Sequence, residues 1–415
     1  MPYIIGRMLS AERIMQRCEA LARHSELPGG LTRVFLSPQA RAATDEVLGW
    51  MREAGMQAKL DPIGNAAGRY EGERPGLACL MLGSHLDTVR DAGRYDGMLG
   101  VISAIECVAF LNSRRKRLPF AIEVIGFGDE EGVRFGTTLL GSRAVAGTLD
   151  LRVLDVKDPQ GNSMASALRE FGLDPAGIPN IARKKTDVLA YAELHIEQGP
   201  VLESEGLPVG VVTAINGFSR LRATLRGAAG HAGTVPMSLR RDALAAAAEC
   251  VLMVEKVAKS HPELVGTVGR IEAKPGAINV IPGEVMFTVD VRAPQDPLRN
   301  QAIGSIRSEL EALCARRDVK AEIETLQEFG VTACSPRLME QMDRAVARQG
   351  FPVRRLPSGA GHDGMALGAI TEICMLFVRC KGGVSHSPLE SITPADAAAG
   401  AKVLLDFIEH FRVSA

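Results

Sequence analysis

Four short runs of the chain are apolar almost throughout: Leu77–Leu82, Phe120–Phe127, Val188–Leu194 and Ile373–Val378. Nearly unbroken apolar runs of this length predict strands buried on both faces, as in a largely parallel sheet. Between them the spacing turns helical. It predicts helices over 9–24, 38–55, 97–112 and 337–349 and a last one beginning near Thr393-Pro394, where proline suits the first turn. Ala54-Gly55 stops the second helix and a strand follows over 56–60. Residues 133–187 read as helical and loop-rich. From about Ala214 the texture changes to strict alternation, in Leu221–Arg226, Leu264–Val268 and Val285–Arg292, with amphipathic helices near 238–259 and 297–316. Alternation marks antiparallel strands with one face exposed. The texture reverts at about Phe329. The pattern therefore predicts an α/β fold with an open mixed sheet flanked by helices, over 1–213 and 329–415. A smaller α+β insert of four antiparallel strands and two helices interrupts it at 214–328.

A length of 415 residues suits one large and one smaller domain. Lys and Arg total 48 against 49 Asp and Glu, so no global field attracts nucleic acid or an anionic membrane. The run Arg114-Arg115-Lys116-Arg117 follows a predicted helix, where cations complement the helix dipole. No apolar run reaches the roughly 18–20 residues needed to span a bilayer. Residues 1–17 lack a basic segment followed by a hydrophobic core, and the expected location is cytoplasmic. Eight cysteines lie scattered without a C-x-x-C pair, several inside apolar runs, so reduced, buried thiols are expected.

The chemistry gathers where the apolar runs end. His85 and Asp87 follow the first run and Asp96 lies on the next loop. Glu130 and Glu131 follow the second run, His195 the third, and His386 stands beyond the fourth. In open α/β sheets, sites form outside the carboxyl ends of the strands. Imidazole and carboxylate without thiolate suit catalytic Zn, Mn, Co or Ni rather than a structural zinc. Burying several carboxylates is costly unless a cation compensates. Two ions bridged by Asp96 would use His85, Asp96, Glu131, His195 and His386. Asp87, two residues from His85 and on the same strand face, is expected to accept that ring's second N–H. Glu130 is surplus to the ligand count and is placed to act as general base. The spacing Gly126-x-Gly128 fits a dinucleotide loop poorly, because three acidic residues follow it and would repel a pyrophosphate.

These residues, in this order, resemble the dinuclear M20 metallopeptidase superfamily. The segments His195–Glu203, Gly230–Met237 and Asn279–Gly283 resemble its ureido-cleaving branch, which includes allantoate amidohydrolases, N-carbamoyl-L-amino acid hydrolases and β-ureidopropionases. The resemblance runs from about residue 40 to 410. Peptidase members usually place a carboxylate where this chain has His195. Asp129–Phe135 and Phe377–Gly383 look most like allantoate amidohydrolases, with departures at Gly364 and Ser387. The resemblance implies two divalent ions per subunit, Mn²⁺ first and Zn²⁺, Co²⁺ or Ni²⁺ as alternatives. It makes the insert a lid and dimerisation domain of a homodimer, in which His231 stabilises the oxyanion of the neighbouring active site. Asn279 and Arg292 become substrate-binding positions, Arg292 clamping a carboxylate as a planar guanidinium can. Gln198 and the 358–362 loop, with Ser358 and Gly361, complete the pocket. The implied reaction on a small carboxylated ureido substrate is cleavage of its terminal C–N bond. Allantoate stands first, releasing ammonia, carbon dioxide and ureidoglycine, and an N-carbamoyl-L-amino acid or β-ureidopropionate is the alternative. A catalytically silent carboxylate-binding module is the rival from another class.

Overall fold

A computed structural model describes residues 9–413, and the chain divides into two compact units. Of residues 1–17, read above as lacking a leader, the first eight lie outside the described residues. The first unit comprises residues 1–213, 334–356 and 360–415, and the second residues 214–333 and 357–359. The return to the first unit thus falls at 333/334, four residues beyond the end of the strand Lys320–Phe329.

The first unit is built on a mixed sheet. Its centre is four mutually parallel strands in the order Ala121–Phe127, Cys79–His85, Val188–Ile196 and Ile373–Val378. Antiparallel strands flank them: Ala66–Tyr70 and then Gln57–Leu60 on one side, Val209–Ile215 on the other. Every residue of Cys79–His85, Ala121–Phe127 and Ile373–Val378 is buried, which is why these segments read as continuous apolar runs. Two flanking strands, Ala66–Tyr70 and Val209–Ile215, are short or glycine-bearing and were not legible as strands. Helices Ala11–Ala22, Pro38–Glu53, Met98–Ser113, Pro336–Arg348 and Pro394–His410 stand close to the expected spans. The helix Met98–Ser113 packs against the two central strands and is buried on nearly all sides. The last helix opens with a capping box between Thr393 and Asp396.

The second unit is a four-stranded antiparallel sheet in the order Lys320–Phe329, Gly217–Arg226, Glu284–Ala293 and Val265–Lys274. Leu221, Leu225, Val285, Phe287, Val289 and Val291 point to one face, where helices Ala243–Ala258 and Asp296–Arg316 cover them. The alternation seen in the sequence is this division into a covered and an open face. No helix among the described residues is long and apolar enough to cross a membrane. All eight cysteines are free and buried.

Candidate metal centre

The carboxyl ends of the parallel strands converge on Asp96. Its Oδ1 lies 3.3 Å from His85 Nε2 and 3.1 Å from His195 Nε2, while Oδ2 lies 3.2 Å from His386 Nε2. Glu131 Oε1 is 3.5 Å from the same His386 nitrogen. The donor atoms fall into overlapping groups: His85, Asp96 and His195 in one, Asp96, Glu131 and His386 in another, with Glu130 grouped beside His85 and Glu131. One carboxylate with each oxygen turned to a different set of imidazoles is what a bridge between two ions requires. His85 and His195 lie inside their strands rather than after them, and both are buried.

Local structure fixes which imidazole nitrogen faces the centre. His85 Nδ1 is 2.9 Å from the carbonyl of Asp87, and His195 Nδ1 is 2.9 Å from that of Ile196. An N–H at Nδ1 donating to those carbonyls leaves each Nε2 lone pair for a cation. The residue that orients His85 is the expected one, but the atom differs. Asp87 uses its backbone carbonyl, and its carboxylate stands 3.9 Å from the ring. That carboxylate instead accepts the backbone N–H groups of Glu130 at 3.0 Å and Glu131 at 3.1 Å. The alternation of the strand stops at His85, so the two-residue spacing no longer places both side chains on one face. Asp87 therefore shapes the turn that presents the Glu pair. Gly97 is required opposite: its φ is +71°, and a Cβ there would lie 2.6 Å from the His85 ring.

Gln198, expected to help complete the pocket, reaches Asp96 itself. Its amide donates to Asp96 Oδ2 at 2.8 Å and to Ser385 Oγ at 3.1 Å, from a backbone at φ +57°. Asp129 and His386 also hold positive φ, so three strained non-glycine positions border the centre. A further carboxylate, Glu390, escaped the sequence reading. It is buried, accepts from the N–H of Tyr95 and of Asp96 at 2.8 and 3.2 Å, and lies 3.1 Å from Ser385 Oγ. It thereby ties the Asp96 loop to the His386 loop across nearly 300 residues of chain. Glu193, also missed, is buried under His195 and accepts from Ser84 Oγ at 2.8 Å and the Tyr191 hydroxyl at 2.9 Å. An acidic residue inside an apolar strand was the available signal for it. His362 stacks edge-on against His195 with ring centroids 4.5 Å apart. Gly361 borders the general-base candidate, its Cβ direction ending 3.5 Å from Glu130 Oε1.

Electrostatics agrees with a cation-binding centre. Burial pushes the Glu130 carboxyl well above the usual carboxylate range and the Glu131 carboxyl up to about 7. Burial acts on Asp96 in the same sense, yet the three surrounding imidazoles hold it well below that range. Three acidic side chains, Asp96, Glu130 and Glu131, with three imidazoles, mostly out of water, form a donor set whose buried negative charge divalent cations compensate. The residues present fit a pair of such ions.

The remaining candidates lie in the second unit. His231 is exposed on a short strand of a two-stranded antiparallel sheet, where it pairs with Val280. Asn279 stands beside it, its carbonyl accepting from Ala232 N at 3.0 Å. The Ser358 carbonyl accepts from Asn216 N at 2.9 Å, and the Ser358 side chain is buried. Arg292 lies on the open sheet face against Asp290.

Residues 81–410 match the model of the peptidase family M20/M25/M40. The chain belongs to that family. Among curated M20 relatives it is 44% identical to an N-carbamoyl-L-amino acid amidohydrolase of Geobacillus stearothermophilus, over 96% of this chain and 97% of the relative. It is 40% identical to allantoate deiminase 1 of Glycine max, over 96% and 89%. A solved amidase of the hydantoinase/carbamoylase family from Burkholderia multivorans superposes with a TM-score of 0.90 at 34% identity, over 96% and 97%. With its His, Asp and Glu donor set, this M20 chain is a hydrolase acting on C–N bonds other than peptide bonds.

Proposed function

We propose that the protein removes the carbamoyl group of N-carbamoyl-L-amino acids, releasing the amino acid, carbon dioxide and ammonia. The coarser statement stands by itself: this is a metal-dependent M20 amidohydrolase acting on a ureido-type C–N bond. The observation that carries it is the division of the Asp96 oxygens between two sets of imidazoles, with Glu130 buried alongside.

The sequence alone placed allantoate first, and that order is reversed here. N-carbamoyl-L-amino acid amidohydrolases stand at 44% and 40% identity, and allantoate deiminases at 40–41%, so likeness does not favour allantoate. The second unit also supports the carbamoylase reading. Its open sheet face carries a groove of about 620 Å³ that includes Val265, Thr267 and Leu326 beside Arg292. Such a groove suits an apolar amino-acid side chain next to a bound carboxylate. Allantoate, whose second ureido group demands hydrogen-bond partners, is the second reading, favoured by the deiminase relatives.

His85, Asp96, Glu131, His195 and His386 would hold a divalent pair, Mn²⁺ in this reading, which when bound would supply a lowered water pKa and polarisation of the substrate carbonyl. Glu130 takes the proton of the attacking water and delivers it to the departing nitrogen. Asp87 holds Glu130 and Glu131 in place through their N–H groups. Arg292 and Asn279 bind the substrate carboxylate, and Gln198, Ser358 and Gly361 border the reacting group. His231, exposed on its short strand, supplies oxyanion stabilisation to the neighbouring subunit of a homodimer.

The test is a panel of N-carbamoyl-L-amino acids and allantoate with Mn²⁺-loaded protein, following ammonia and the organic product. Higher kcat/KM for allantoate than for every carbamoyl amino acid would overturn the substrate assignment. Glu130→Gln is expected to retain both ions and lose about 10²–10⁴ in turnover.

A further inference from the structure

Arg292 is held in one orientation before any ligand is considered. Its Nε and Nη2 donate to Asp290 Oδ1 and Oδ2 at 2.9 and 3.0 Å, a two-point contact, and Nη1 donates to the Gly359 carbonyl at 2.8 Å. Asp290 is itself fixed by Arg220 Nε at 3.0 Å, and Arg220 Nη1 is anchored on Gln327 at 2.9 Å. The two guanidinium groups stand over the Phe218 ring, at 4.7 Å for Arg220 and 5.6 Å for Arg292. Sheet register enforces this grouping, since Asp290 pairs with Arg220 and Arg292 with Phe218 across adjacent strands.

Two cations share one anion, so the assembly keeps a net positive charge. A guanidinium has five N–H donors. Three are used, and the remaining two, one on each terminal nitrogen, have no acceptor among the described residues. That is the number a carboxylate takes in a bidentate contact. A free arginine loses rotamer entropy on clamping a ligand, whereas one already fixed does not.

We propose that Asp290 is a positioning residue for substrate binding: it grips Arg292 by the Nε–Nη2 edge so that both terminal nitrogens each offer one N–H to the substrate carboxylate. The proposal rests on the reading of Arg292 as the carboxylate-binding residue. The opposite sign is physically available, because Asp290 also neutralises charge that would attract a carboxylate, and the experiment separates the two.

Binding is measured by calorimetry in the Mn²⁺-loaded full chain carrying Glu130→Gln, with an N-carbamoyl-L-amino acid and with the matching N-carbamoyl amine that lacks the carboxylate. Asp290→Asn is expected to weaken the carboxylate ligand about tenfold and to move the amine by less than about twofold. In the active enzyme the same substitution raises KM with kcat nearly unchanged. Unchanged or tighter binding of the carboxylate ligand overturns the proposal, as does an equal loss for both ligands. If Arg292→Ala leaves the carboxylate ligand unaffected, the reading of Arg292 fails instead. Arg220→Gln, at a partly exposed site, covers the case in which Asp290→Asn does not fold. It is expected to weaken the same ligand about threefold, and no change there also overturns the proposal.

Discussion

Asp87→Asn separates the orienting role expected of this carboxylate from the one the structure gives it. The substitution keeps the side-chain shape and leaves the Asp87 carbonyl, and therefore its contact with His85, in place. One carboxylate oxygen becomes an amide nitrogen, so only one of Glu130 N and Glu131 N retains an acceptor. A backbone N–H donating to a carboxylate contributes about 1.5–3 kcal/mol, and leaving the other donor buried against an NH₂ brings the cost to about 2–4 kcal/mol. In the metal-free protein this is opposed, because Asp87 repels the buried Asp129, Glu130 and Glu131 carboxyls and its neutralisation relieves them. With cations bound, that relief becomes a loss of attraction. The effect is therefore expected chiefly in metal affinity, weakened about 10–100-fold for the ion on the Glu131 side. Two-site Mn²⁺ titration calorimetry measures it, alongside thermal unfolding of the metal-free form, whose midpoint should move little. Affinities within about threefold of the parent at both sites would refute the assignment of Asp87 to the Glu130-Glu131 turn.

Gly97→Ala places a methyl group against the His85 ring from a positive-φ backbone, and should abolish tight metal binding, as metal content after dialysis reports. Glu390→Ala leaves the buried N–H groups of Tyr95 and Asp96 without their acceptor, and denaturant unfolding of the metal-free protein should show a loss of about 2–5 kcal/mol. Chelation should abolish activity and lower the melting temperature, and Mn²⁺ or Co²⁺ should restore both, since ions that bind only the folded form stabilise it. At pH 8 the native protein should react with less than about one equivalent of a thiol reagent, because burial pushes thiols such as Cys380, up to about 11, and Cys334, up to about 12, away from the reactive thiolate. In denaturant all eight should react.

Hydropathy patterning by itself determined the two-part architecture, the buried strands and the open-faced insert, because burial on two faces or one is a local property of strand composition. It also determined which residues crowd the strand ends, since a polar residue directly after an apolar run has few places to go. Short flanking strands such as Ala66–Tyr70 carried too little contrast to be seen. Tertiary structure decided which atom does what. Asp87 turned its carbonyl rather than its carboxylate to His85, and Gln198 swung onto Asp96, because backbone direction at a strand end is set by the next loop and not by spacing. Only the fold could bring Glu390 to Asp96, or set Asp290 between two arginines. The Glu390–Asp96 and Arg220–Asp290 contacts join residues distant along the chain, and nothing in the local sequence of either partner records the other.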